Sequence, residues 1–306
     1  MAVFTGTTHV YTAAGSSGVG KFNKEDLSDL ITNISPTATP FISNIGRTKA
    51  GAVLHEWMRD SLASAAANAN IEGDELTTSV TASSGTRLSN YTQILRKSVI
   101  VSGTQDVVRK AGKGSEIAYQ VAKLTKEIAR DLEYACLQNT QSVTGDATTA
   151  RQLKGAAGWV TSNATDKGTG TVTATQSDIN LAAQQCWTAG GKPDMIICGG
   201  FNKRTISSFT TGVAKNLDAR DKRLVFAVDV YETDFGVMKV MPDHFVATDD
   251  IFLFQMDLWK LAYLRPLQVK ELAMTGDADK RMLVTEVTLE CLAEDGNGYV
   301  YDTATS

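Results

Sequence analysis

The chain has 306 residues, enough for one large domain or two ordinary ones, and its 42% apolar and 21% charged content excludes wholesale disorder. A net charge of −4 excludes a strongly basic nucleic-acid-binding domain. No apolar run reaches the ~20 residues of a membrane span, the first six residues lack a signal-peptide pattern, and four cysteines stand far apart.

Residues 1–20 are rich in Thr, Gly and Ser, show no periodicity, and read as an extended arm. A short helix follows. Asn23 caps it, Glu25 and Asp26 suit its positive end, and Leu27, Leu30, Ile31 and Ile34 make one apolar face before Ser35–Pro36 stops it. With no core of its own, this helix is expected to dock elsewhere, using Phe22, Leu27, Leu30 and Ile31 as contacts with another subunit.

Residues 52–101 read as a long hairpin, with Val53–Met58 going out and Tyr91–Val101 returning. About thirty residues rich in Ala, Ser, Asn and Thr lie between them. At ~3.3 Å per residue each arm would reach roughly 60 Å. A two-stranded ribbon of that length is marginal alone in water, so a neighbouring subunit is expected to cover it. Trp57, Arg59, Asp60, Ile71, Glu72, Asp74 and Glu75 are the candidate inter-subunit residues, with Trp57 and Ile71 as apolar anchors.

Residues 115–139 carry the strongest helical pattern. Ser115 is the expected N-cap, and Ile117, Val121, Leu124, Ile128, Leu132 and Ala135 form a continuous stripe. Lys123, Lys126, Glu127, Arg130, Asp131 and Glu133 take the other face. At 1.5 Å per residue the helix is roughly 37 Å long.

Residues 155–258 alternate helix and strand signals and read as a mixed α/β domain. Ser177 caps a helix that Gly190–Gly191 ends, Met195–Cys198 is a short buried strand, and Asn202–Phe209 is a second helix. Val225–Tyr231 and Val237–Met241 read as strands. Lys215, Asp218, Arg220, Lys222 and Arg223 alternate in sign, which suits an inter-subunit or solvated loop better than a phosphate stripe. Two long strands follow, Lys260–Leu272 and Arg281–Leu292, and with the long helix they make a two-layer unit. The middle domain is then an insertion between that helix and that sheet.

Several patterns imitate functional sites. Gly15–Lys21 matches the GxxxxGK phosphate loop, but Phe22 stands where a magnesium-binding hydroxyl is needed and no buried parallel strand leads into it. His9, His55 and His244 are not at ligand spacing from one another or from a cysteine, so no metal is expected. Cys136, Cys186, Cys198 and Cys291 form no CxxC pair and read as reduced core thiols. Asp249, Asp250 and Asp257 read as surface carboxylates flanking strands. No catalytic residue and no cofactor are expected.

The order of parts resembles the capsid fold shared by tailed phages and herpesviruses. The stretches Trp57–Leu62 with Glu72–Gly73, Asn90–Ile94, Val101–Gln105, Lys126–Glu127 with Arg130–Glu133, Arg151–Gly155, Gly191–Asp194, Tyr231–Gly236, Leu264–Pro266 and Thr275–Asp277 carry the resemblance over essentially the whole chain. They are similar to major capsid proteins of tailed double-stranded DNA phages. The resemblance implies an α+β fold: an N-terminal arm (1–50), an extended loop (51–101), a peripheral domain (102–154 and 259–306) with its spine helix (115–139), and an inserted axial domain (155–258). It implies a structural protein, not an enzyme, that assembles as hexamers and pentamers into an icosahedral shell, in the host cytoplasm and then in the virion. The arm begins at Met1 without a long charged segment before it, which points to a separate scaffolding protein. A portal protein and weak, non-specific contact with packaged DNA are the other expected partners, and no membrane is. An encapsulin-like compartment enclosing a cargo enzyme is the alternative with the same fold.

Overall fold

The computed structural model describes residues 35–73, 75, 85–108, 114–168, 170–209, 229–274 and 276–305. In chain order these carry α1 (Pro40–Asn44), β1 (Gly46–Lys49), β2 (Leu54–Arg59), β3 (Thr86–Tyr91), β4 (Gln93–Ser102) and α2 (Gly103–Val107). The long helix α3 (Glu116–Gln138), α4 (Ala156–Trp159), β5 (Ala164–Asp166), α5 (Gln176–Thr188), β6 (Met195–Cys198) and α6 (Gly200–Ser208) come next. The rest is β7 (Val230–Thr233), β8 (Gly236–Pro242), β9 (Ile251–Phe254), β10 (Trp259–Glu271), β11 (Ala278–Cys291) and β12 (Gly298–Tyr301).

These strands form three sheets. A four-stranded sheet has the order β1-β10-β11-β4, a six-stranded sheet the order β5-β12-β9-β6-β8-β7, and β2 pairs with β3 alone. The expected spine helix is present as α3. The Ser115 hydroxyl accepts from the Ala118 amide at 3.4 Å, as its cap position requires. The apolar stripe is fully buried only in the second half, at Ile128, Leu132 and Ala135, while Ile117, Val121 and Leu124 are half-buried. Lys97 of β4 fixes the helix to the four-stranded sheet through Glu127 at 3.1 Å and Asp131 at 2.9 Å.

The six-stranded sheet is covered on both faces. Along β6 and β9, which pair antiparallel, Ile196, Cys198, Ile251 and Leu253 face α5 and α6, whereas Met195, Ile197, Phe252 and Phe254 face the other way. Alternate residues of a strand point to opposite faces, so a strand buried on both sides is apolar without a break. The second face continues into the main core with Phe41, Trp57, Leu132, Trp159, Trp259, Leu261 and Leu289, which joins the two larger sheets. All four cysteines are buried. Burial pushes the thiols up, to about 12 at Cys186 and Cys198.

Several expectations need correction. The strand returning to β2 is Thr86–Tyr91, and Gln93–Ser102 leaves the hairpin to pair with β11. The switch is at Thr92, whose amide donates to Val53 O at 2.9 Å while its hydroxyl donates to Glu286 at 2.9 Å. Residues 40–50, assigned to an arm without a core, are built into this chain's own core: Phe41 is fully buried and β1 runs parallel to β10. The segment 298–301, grouped with the closing sheet, is instead β12, placed between β5 and β9. The helix expected from Ser177 starts earlier because Thr175 and Asp178 form a capping box.

Candidate assembly interface

The hairpin β2–β3 is rooted by four residues. Trp57 is buried, donates its indole N–H to Cys291 O at 2.9 Å, and packs on Trp159 with ring centroids 5.5 Å apart. His55 lies 3.4 Å from Glu290. Arg59 binds Asp295, and that hydrogen bond holds the guanidinium above its ordinary value. Asn90 donates to Leu289 O at 2.7 Å and Lys154 O at 3.0 Å, and accepts from the Lys154 amide at 2.8 Å.

Beyond that root the chain changes character. Every residue from Asp60 to Gly73 is exposed, and none belongs to a helix or strand. Leu62 is 98% exposed and Ile71 81%. The segment therefore holds apolar side chains in water just beyond a rooted hairpin.

Beside the root, Glu286 is almost fully buried between Arg151 at 2.6 Å and Arg265 at 2.7 Å. A second buried acid, Glu133 on α3, accepts from the amides of Phe41 at 2.6 Å and Ile42 at 2.9 Å, and so holds α1 in place. Burial pushes its carboxyl well above the ordinary carboxylate range. The two amides pull the other way, and nearby Asp243 adds repulsion.

The candidate residues therefore separate. Asp60, Ile71, Glu72 and Glu75 are exposed on the excursion. Trp57 is corrected from inter-subunit anchor to intrachain root, because its ring and its N–H are both already used within this chain. Arg59 is likewise committed to Asp295. Asp74, Phe22, Leu27, Leu30, Ile31, Lys215, Asp218, Arg220, Lys222 and Arg223 lie outside the described residues, as do Gly15–Lys21 and His9. Of the imitated acid sites, Asp250 is buried, not superficial, and burial raises its carboxyl to about 7. Sequence reasoning missed the roles of Asn90, Glu286 and Asp295, since each bonds to a residue more than 60 positions away.

The sequence profile described as SU10 major capsid protein matches residues 6–304. The chain belongs to the SU10 major capsid protein family. It is the structural subunit of an icosahedral phage capsid, as the resemblance implied. The major capsid protein of Escherichia phage Phieco32 is 27% identical over 333 residues, an alignment covering 92% of this chain and 94% of that protein. Among solved structures, the capsid asymmetric unit of cyanophage A-1(L) superposes with a TM-score of 0.70 at 12% identity, covering 92% of this chain and 98% of that one. The holo-SrpI encapsulin complex from Synechococcus elongatus PCC 7942 superposes less well, with a TM-score of 0.58 at 10% identity over 90% of this chain and 93% of that one. The fold is that of tailed-phage capsids, and the encapsulin alternative is the weaker match.

Proposed function

We propose that this capsid subunit closes its shell by laying the excursion between β2 and β3, with its exposed run 60–73, over an adjacent copy within hexamers and pentamers. The observation that carries the reading is the contrast between the buried root at Trp57 and the fully exposed run 60–73. A fixed base gives the excursion direction, and exposed Leu62 and Ile71 give it something to bury. Asp60, Glu72 and Glu75 set register more than affinity, as rim charges do.

In this reading the described parts take the roles of capsid domains. Residues 51–91 form the extended loop, α3 with the four-stranded sheet the peripheral domain, and the six-stranded sheet with α5 and α6 the axial domain. Assembly takes place in the host cytoplasm on a separate scaffolding protein, around a portal, and the finished shell touches packaged DNA weakly and without sequence preference. The protein does no chemistry of its own.

The test replaces residues 60–85 by Asn-Gly, a two-residue turn suited to joining Arg59 to its cross-strand partner Thr86. The variant should stay folded and soluble, and electron microscopy should show no closed shells under conditions where the parent chain forms them. Normal particles from this variant would overturn the proposal.

A further inference from the structure

The groove between α3 and the segment leading into α1 has a volume of about 410 Å³. Ser35 and Thr37 form one wall, and Lys123, Lys126, Glu127 and Arg130 line the helix side. The three cations stand at i, i+3 and i+7, so they share one helix face and span about 10 Å along its axis.

The charges in and beside the groove do not balance. Glu127 is shared by Lys97 at 3.1 Å and Lys123 at 3.9 Å, and Asp131 is held by Lys97 at 2.9 Å. Those two lysines and two carboxylates cancel. Lys126 and Arg130 have no carboxylate partner among the described residues, which leaves two positive charges on a chain whose net charge is negative. Arg130 stands over the Phe245 ring at 5.6 Å, and its Nε is buried with no hydrogen-bond partner. A planar guanidinium matches a phosphate.

We propose that this groove takes backbone phosphates of the packaged duplex, and that the α3 face carrying Lys126 and Arg130 is turned toward the shell interior. The inference rests on the capsid reading above and adds to it the residues that meet DNA. Phosphates on one strand advance ~3.4 Å per step, so a 10 Å row of cations covers about three of them. Contacts of this kind neutralise the backbone without reading bases, which suits a container that must accept any sequence.

The test is the salt dependence of binding between the full-length protein and a fluorescein-labelled duplex of random sequence. The double variant Lys126→Gln/Arg130→Gln should lower the log–log salt slope by about two. The affinity ratio of parent to variant should then shrink about tenfold between about 50 and 200 mM salt. Lys126→Arg/Arg130→Lys should restore the slope. If the double variant unfolds, Lys126→Gln alone should lower the slope by about one. An unchanged slope in a folded variant overturns the inference. So does binding of polyglutamate, but not of duplex, through these two residues, which would make the occupant an acidic protein segment. Shell formation is scored separately: shells with an unchanged slope remove only this inference, whereas a parent chain that forms no shell removes the capsid reading.

Discussion

Trp57 sits on a strand of a projecting hairpin, and from its sequence neighbours alone it fits a partner's surface as well as its own core. The decision is made by Cys291 O, 234 positions away, which accepts the indole N–H. Trp57→Phe should keep most of the packing on Trp159 and lose the hydrogen bond, a cost of about 1 kcal/mol. Trp57→Ala should cost about 3–5 kcal/mol. Denaturant unfolding of the unassembled subunit measures both, and an Ala variant as stable as the parent would show that the ring does not root the hairpin. Asp250 offers a different test. Burial raises its carboxyl to about 7, with Asp249 and Asp302 adding repulsion, while in the unfolded chain it ionises near 3.9. Between those values the folded state holds a proton that the unfolded state has released, so stability falls as pH rises from ~4 through ~7. Asp250→Asn should flatten that slope and leave the variant better placed, relative to the parent, at pH 8 than at pH 5. Parallel thermal midpoints at the two pH values would contradict the assignment.

At the scale of elements, what was legible depended on how local the determining forces are. The long helix was readable because its period and its Ser115 cap lie within the segment, and β6 was readable because an unbroken apolar run fits a strand covered on both faces. The segment that returns to β2 is not legible locally, because the switch at Thr92 is set by Glu286, which no local pattern reveals. The carboxylates beside β9 read as superficial from the sequence, whereas Asp250 is buried. The junction after α3 makes a sharper point. The Gly155 amide donates to Asn139 O at 2.8 Å, and a Cβ at Gly155 would stand 2.6 Å from Ala135 O and 2.7 Å from Cys136 O. Gly155→Ala should therefore push α4 away from the end of α3 and cost about 1–3 kcal/mol. Gly51→Ala, with open space around the added Cβ, is the control and should stay within about 0.5 kcal/mol. Equal stabilities for the two would show that the junction yields freely.

For the molecule as a whole, the sequence showed the capsid architecture through the order of its parts, and it showed the exposed excursion through composition. The charges on the outer face of α3 were also visible in it. That Lys97 and Lys123 together cancel Glu127 and Asp131, leaving Lys126 and Arg130 without a carboxylate among the described residues, is not, because Lys97 reaches α3 only once β4 is in place. Strand order carries one more implication. In the six-stranded sheet, β12 fills the place between β5 and β9, and β5 ends at Asp166 while β12 begins at Gly298. A ribosome adding roughly 5–20 residues per second needs roughly 7–26 s to cover that interval. Throughout it the edge of β5 is without its partner, and from Phe254 onward the edge of β9 is too. Polysomes crowded with such half-built chains are where mispairing between nascent copies has its best opportunity, so translation speed over residues 167–297 should influence the yield of assembly-competent subunits.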